Sequence, residues 1–385
     1  RTLPDEDVVK MLKGPRGTKV ELKIERKGAN NLLPFTIIRD KIPIYSVDVS
    51  YMMSDDVGYI KISNFALTTH DEFKKGLSEL KEQGMKKLIL DLRGNSGGVM
   101  DAATMIADEF LPEGKLIVFT MGKSTPRQDV KATARGEFET GELVVLIDEW
   151  SASASEILAG AVQDNDRGTI IGRRSFGKGL VQEPVMFRDG SGMRLTIARY
   201  YTPTGRSIQK PYDQGIEKYY EDLANRMMHG EFEEADSIRL DDSLRFTTPG
   251  GKTVYGGGGI MPDIFIPIDT AGISDYFLAI RNSGLIYRYA LKYTEDNRET
   301  LKKFSDLPSL TEWLDNQNLL NKFVLFAGQN GVPARYDQIA VSEKIIDVQL
   351  KAYIARNMLD NKGFYPVWQE IDRTLLDALS YLENN

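Results

Sequence analysis

The sequence contains no cysteine. Disulfides, thiol nucleophiles, thiolate zinc sites and iron–sulfur clusters are therefore excluded within this chain. It has two histidines, His70 and His229. That is too few for a histidine-rich metal site, and a hydrolase built from this chain would draw its base from another residue type. Excess positive charge is lacking too. Lys and Arg number 49 against 56 Asp and Glu, a formal charge of −7, which argues against a general nucleic-acid binder. No apolar run approaches the ~20 residues of a membrane-spanning helix. No basic stretch followed by an apolar one opens the chain.

What is present is the material of ordinary globular domains. The chain has 385 residues, 41% hydrophobic and 27% charged, enough for two or three domains. A candidate cap at Thr2, Pro4 in the first turn and the acidic Asp5 at N3 start a helix whose apolar face is Val8, Val9, Met11 and Leu12. Gly14-Pro15 stops it. Thr18–Arg26 then alternates Val20, Leu22 and Ile24 with charged residues, as a half-buried strand does. One helix and about two strands are little core for a free-standing domain, so residues 1–43 read as the back half of a small module.

Residues 44–270 alternate strands and helices. Val57–Ile62, Lys87–Leu92, Leu116–Thr120, Leu143–Ile147 and Thr169–Ile171 read as strands. A segment capped by Thr68-Thr69 and running through about Glu82 reads as a helix, as do Met100–Phe110 and Ala154–Gln163. This rhythm predicts an α/β domain with a mostly parallel sheet. Lys123–Gly141 reads as a polar loop. A hairpin through Asp189-Gly190 closes the series, and an acidic helical insertion is expected near residues 214–245. Residues 271–385 carry helical periodicity throughout and predict an all-helical C-terminal domain.

Three segments could carry chemistry. Gly172–Gly179 nearly fits a phosphate loop, but Gly179 stands where a hydroxyl should hold Mg²⁺, and an extended, proline-stopped segment follows instead of a helix. No nucleotide is expected. Ser151-Ala152-Ser153-Ala154-Ser155-Glu156 lies between a strand and a helix. Locally it is a capping box, with Ser153 as N-cap and Glu156 at N3. The same position suits a nucleophile, because the turn exposes a hydroxyl at the positive end of a helix. Asp91–Gly98 (DLRGNSGG) follows a buried strand, where ligands sit in parallel sheets. Its glycines can aim N–H groups at an anion.

In order along the chain stand Tyr59–Phe65 (YIKISNF), Asp91–Gly98, Ser151–Glu156, Phe176–Gln182 (FGKGLVQ), Tyr201–Arg206 (YTPTGR) and Gly257–Asp263 (GGGIMPD). This set resembles the carboxyl-terminal processing (tail-specific) peptidases, a serine/lysine family. The resemblance spans roughly residues 1–270. It implies a crotonase-like α/β peptidase core, preceded by a truncated PDZ module and followed here by the helical domain.

By resemblance, Ser153 is the nucleophile, Lys178 the general base and Gln182 the residue that helps orient the lysine. Backbone N–H groups of Gly97 and Ala154 would form the oxyanion hole. Asp164 occupies the place of an acidic residue implicated in some members, although its position at a helix end suggests a structural role. Val8, Val9 and Leu12 would form one wall of a peptide groove. A lysine with an ordinary pKa near ~10.4 is protonated at neutral pH, and an apolar site can lower it enough to free the amine. The implied activity is a serine endopeptidase that cleaves unfolded or tagged proteins near their C-termini, with no metal and no cofactor. Its partners would be polypeptides with accessible C-termini, not nucleic acid, and a homo-oligomer is compatible with it. The implied compartment is the periplasm or envelope of a bacterium. Two other classes share the fold: a catalytically silent peptide-binding scaffold, and a crotonase-like acyl-CoA enzyme, in which the Ser153 and Lys178 motifs would have no role.

Overall fold

The computed structural model describes residues 3–26, 29–212 and 215–384. The expected cap at Thr2 and residue 214, the first of the expected insertion, lie outside the described residues. The chain divides into two compact units, Arg1–Tyr45 and Ser46–Asn385.

The first unit is a helix and a hairpin: α1 (Asp5–Leu12), β1 (Lys19–Ile24) and β2 (Leu33–Ile38), the strands antiparallel. The Arg39 guanidinium donates to the carbonyls of Leu12 (2.7 Å) and Met11 (3.2 Å). It thereby satisfies the open end of α1 and ties the helix to the hairpin. Val8, Val9 and Leu12 are all exposed.

The second unit begins with β3 (Val47–Met52), β4 (Val57–Ile62), α2 (Thr69–Glu82), β5 (Lys87–Asp91) and α3 (Met100–Asp108). It continues through β6 (Leu116–Met121), β7 (Gln128–Lys131), β8 (Glu142–Ile147), α4 (Ala154–Asp164), β9 (Thr169–Gly172), β10 (Leu180–Met186) and β11 (Gly192–Tyr201). Then come α5 (Ile216–Met228), the short hairpin β12 (Arg245–Thr247) and β13 (Thr253–Tyr255), and β14 (Ile264–Phe265). The main sheet has the order β14-β9-β8-β5-β4-β3, parallel except for the edge strand β3. A second, antiparallel sheet has the order β10-β11-β6-β7. Strand β7 lies within the segment expected to be a polar loop, and it is formed by the mostly polar QDVK. Pairing with β6 makes it a strand, not its own hydrophobicity.

The unbroken apolar strands are explained by covering on both faces. Leu88 and Leu90 of β5, with Leu143, Val145 and Ile147 of β8, point into a core shared with α2, α3 and α4. The alternate residues Ile89, Val144 and Leu146 point the other way, against Leu375, Ala378 and Leu382. Those three lie on the last helix of the C-terminal series. That series is α6 (Asp275–Asn282), α7 (Leu285–Asp296), α8 (Arg298–Leu301), α9 (Leu307–Asp315), α10 (Leu319–Gln329), α11 (Tyr336–Trp368, broken at Leu359–Asp360) and α12 (Arg373–Glu383). Helices α6–α11 hold a core of their own, whereas α12 closes the second face of the sheet. Among the described residues, no helix is long and apolar enough to cross a membrane.

Candidate active site

Strands β5 and β8 are adjacent and parallel, so the turns that follow them meet at one end of the sheet. The side chain of Asn95 organises the first turn. It donates to Ile62 O (3.0 Å) and accepts from Gly97 N (2.9 Å). Asp148, just after β8, accepts from Gly94 N (2.9 Å) and from Ser151 N (3.1 Å), and so fastens the two turns together. Burial pushes its carboxyl above the usual range.

The three serines of the second turn separate by environment. Ser151 is fully buried and its hydroxyl donates to Leu92 O (2.9 Å). Ser155 is also buried and donates to Asn95 O (2.9 Å). Ser153 instead lines a cavity of about 580 Å³, together with Gly98, Lys178 and Gln182. Its backbone has φ 56° and ψ −111°, a conformation that side chains rarely adopt and that structure must enforce. Gly97 comes close beside it. A Cβ at Gly97 would stand 2.7 Å from both Ala152 O and Ser153 Cβ, at a φ of +101°, so only glycine fits there.

Ser153 and Lys178 are joined through two side chains. Glu156, fully buried, accepts from Ser153 N (2.8 Å) and Lys178 N (2.9 Å) on one oxygen. On the other it accepts from Ser175 Oγ (2.5 Å) and Gly177 N (2.6 Å). The capping carboxylate thus also fills the N–H nest of the loop that mimics a phosphate loop. Burial raises its pKa against the opposing effect of these four bonds. On the carbonyl side, the buried Tyr200 hydroxyl lies between Ser153 O (3.1 Å) and Lys178 O. Sequence reading assigned Glu156 only as a cap and did not single out Tyr200. The reciprocal position of Glu156 was visible in the capping-box spacing, but nothing local points to Tyr200.

Other expected residues are placed differently. The Gly97 N–H, expected to serve the oxyanion hole, is taken by Asn95 Oδ1. The next N–H, that of Gly98, has no acceptor among the described residues, and neither has that of Ala154. The described bond of the Gln182 side chain runs to Thr196 Oγ1 (3.4 Å) across the hairpin, not to Lys178. Asp164 is structural. It forms a fully buried ion pair with Arg206 (2.6 Å) and accepts from Thr204 Oγ1 (2.6 Å), which holds the 201–206 turn. Asp263 likewise accepts from Ile170 N (2.8 Å), which anchors β14 to the sheet.

A second network lies behind the first turn. Asp91 is buried and accepts from Tyr59 Oη (2.8 Å) and from Arg93 (2.7 Å), with Lys61 at 3.3 Å. Burial alone would raise its pKa, but the charges of Arg93 and Lys61 outweigh burial and hold it well below the usual carboxylate range. Arg93 also makes a bidentate pair with Asp372 (2.8 and 2.7 Å), the residue that caps α12. The C-terminal helix and the glycine turn therefore share one arginine, an arrangement suited to the planar guanidinium fork.

Comparison with known proteins finds similarity over two parts of the chain. Residues 56–221 match Peptidase family S41, and residues 276–360 match a family of unknown function, DUF8443. The chain is 40% identical over 214 residues to a carboxyl-terminal-processing protease of Synechocystis, covering 54% of this chain and 49% of that protein. It is 37% identical over 204 residues to the carboxy-terminal processing protease CtpA of Bacillus subtilis, covering 53% and 43%. Among solved structures, a photosystem II D1 C-terminal processing protease overlaps 68% of this chain and 58% of its own, at 28% identity and a TM-score of 0.43. The match to Peptidase family S41 covers the turns that carry Ser153 and Lys178. The chain spans about half the length of the curated relatives it matches.

Proposed function

We propose that the protein is a serine endopeptidase that cleaves unfolded or tagged polypeptides near their C-termini, through an acyl-enzyme on Ser153 with Lys178 as general base. One observation carries the reading. A single buried carboxylate, Glu156, holds the backbone N–H groups of both residues, and both line one cavity. In this mechanism the Lys178 amine takes the Ser153 hydroxyl proton as Oγ attacks the peptide carbonyl. It returns that proton to the departing amine, and then activates the water that hydrolyses the acyl-enzyme. The tetrahedral oxyanion is received by the Ala154 N–H at the start of α4 and by Gly98, in place of Gly97 whose N–H is engaged. Each such donor is worth roughly 3–4 kcal/mol in the transition state. Gln182 acts as a cavity wall. The partial PDZ reading of the first unit, with Val8, Val9 and Leu12 as one side of a peptide groove, and a periplasmic or envelope location belong to the same proposal. The bacterial relatives support the location.

Fluorophosphonate labelling tests the reading. Wild-type protein is expected to be labelled at Ser153 and to cleave casein. Ser153→Ala and Lys178→Ala should each abolish cleavage, and the double variant should be little worse than either, because the pair acts as a unit. Cleavage by Ser153→Ala at the wild-type rate would overturn the assignment.

A further inference from the structure

A second cavity of about 560 Å³ adjoins the one that holds Ser153. Both are bounded by Ser96, Lys178, Leu180 and Gln182, but Ser153 lines only the first. The second is walled mainly by Trp150, Phe176, Tyr212, Ile216, Tyr219 and Tyr220. Several of these expose much of their surface: Trp150 is 54% exposed, Ile216 72% and Tyr220 70%. Large apolar side chains that converge, uncovered, on one concavity mark a binding surface more often than a solvated one.

The wall is built, not incidental. Phe176 meets Tyr219 edge to face at 5.9 Å, and Tyr219 meets Tyr220 at 5.6 Å. The Lys210 ammonium lies over the rings of Phe176 (3.9 Å) and Tyr219 (4.3 Å) and pairs with Asp222 of α5 at 3.1 Å. That cation clamps α5 against the loop that carries Lys178 and holds the aromatic row in place.

The proton path says which part of a substrate this cavity faces. The acyl half of the scissile bond must sit on Ser153 and the Ala154 N–H. The amine half must sit where Lys178 can protonate it. A cavity bordered by Lys178 but not by Ser153 therefore lies on the side of the departing amine. Resting on the proposed peptidase reading, we infer that this cavity is a subsite for a large apolar, preferably aromatic, side chain within the first two residues after the cleaved bond. It would read the tail that leaves, not the chain that is acylated.

Two matched peptide series test this. One exchanges Phe for Ala at either of the two positions after the cleaved bond; the other makes the same exchange before it. Wild-type protein should favour Phe after the bond by at least about tenfold in kcat/KM, about 1.4 kcal/mol. Tyr220→Ala and Trp150→Ala, both changes at exposed side chains, should reduce that ratio to below about threefold. Trp150→Phe should restore most of it. The ratio for the series before the bond should shift by less than about twofold. A missing preference after the bond, or one that survives both substitutions, would overturn the subsite while leaving the peptidase reading in place. Absence of both cleavage and fluorophosphonate labelling of Ser153 would overturn the two together.

Discussion

Two buried carboxylates organise this site by opposite electrostatics. Asp91 sits behind the glycine turn among cations, with Arg93 and Lys61 beside it. Glu156 sits behind the serine turn with no cation in contact among the described residues, held by three backbone N–H groups and one hydroxyl. The first has its pKa lowered and the second has it raised. A cation-paired carboxylate resists protonation and serves as a permanent anchor. A carboxylate held by neutral dipoles keeps its geometry only while ionised, and burial works against that charge. The anchor reaches outward to the C-terminal helix through Arg93 and Asp372, whereas the dipole-held group reaches inward to the two residues assigned to chemistry.

The largest expected effect is on the inward group. Glu156→Gln keeps the shape but turns one acceptor oxygen into a donor that faces N–H or O–H groups. Two of the four bonds are lost and donors are left facing donors, at about 1–3 kcal/mol each. We expect kcat to fall at least 100-fold with a much smaller change in KM. Steady-state kinetics on a peptide substrate checks this, and near-normal kcat would show that the carboxylate is only a helix cap.

Next in size is the outward group. Asp372→Asn removes one charge from the bidentate pair with Arg93, which retains Asp91. A loss of about 1–3 kcal/mol is expected, less than the ~3–5 kcal/mol of a buried cation left without any partner. Urea unfolding followed by far-ultraviolet circular dichroism measures it. A cost below about 0.5 kcal/mol would mean that α12 docks through its apolar face alone.

Acid should separate the two carboxylates. The folded-state pKa of Asp91 is depressed, so its stabilisation is present above the ordinary Asp value and is lost as pH falls from there through the depressed value. The folded-state pKa of Glu156 is raised, so its contribution to stability has the reverse sign: fully present below the ordinary Glu value and lost as pH rises through the raised one. Its geometry, however, needs the charged form. On acidification from neutrality, amide-exchange protection of Gly177 and Lys178 should therefore fall first, after correction for intrinsic rates. Tm should decline only below about pH 4. Simultaneous loss of both would show that the two networks are one.

The smallest effect is expected at Ser155→Ala, which deletes one hydroxyl bond to Asn95 O between the turns. It should cost about 1 kcal/mol in Tm-derived stability, far less than Glu156→Gln costs in kcat. A larger loss of activity than that would place Ser155 nearer the chemistry than Ser153.

Legibility followed the range of the forces involved. The strands Val57–Ile62 and Glu142–Ile147 and the helix that starts at Ala154 announce themselves through apolar runs and a cap, because these are local preferences of consecutive residues. Strand β7 and the two-residue β14 were not readable, since each becomes a strand only by hydrogen bonding to a partner already in place. The choice of Ser153 came from its motif. The reason its neighbours are unsuitable, their burial and their bonds to Leu92 and Asn95, is a property of the packed turns.

By itself the sequence determined that the core is an α/β domain with a mostly parallel sheet, that thiol and histidine-rich metal chemistry is excluded, and that Ser153 lies in a turn able to expose it. Composition and short periodicities suffice for such statements. Tertiary structure alone decided the rest. It placed α12 on the second face of the sheet and joined Arg93 to Asp372, 279 residues apart. It also gave the Gly97 N–H to Asn95, set Tyr200 between two carbonyls, and folded α5 into an aromatic wall beside Lys178. Apart from the Gly97–Asn95 bond, which spans two residues, each of these pairs residues far apart in the chain, and an amphipathic helix or a lone arginine carries no local record of which distant partner will satisfy it.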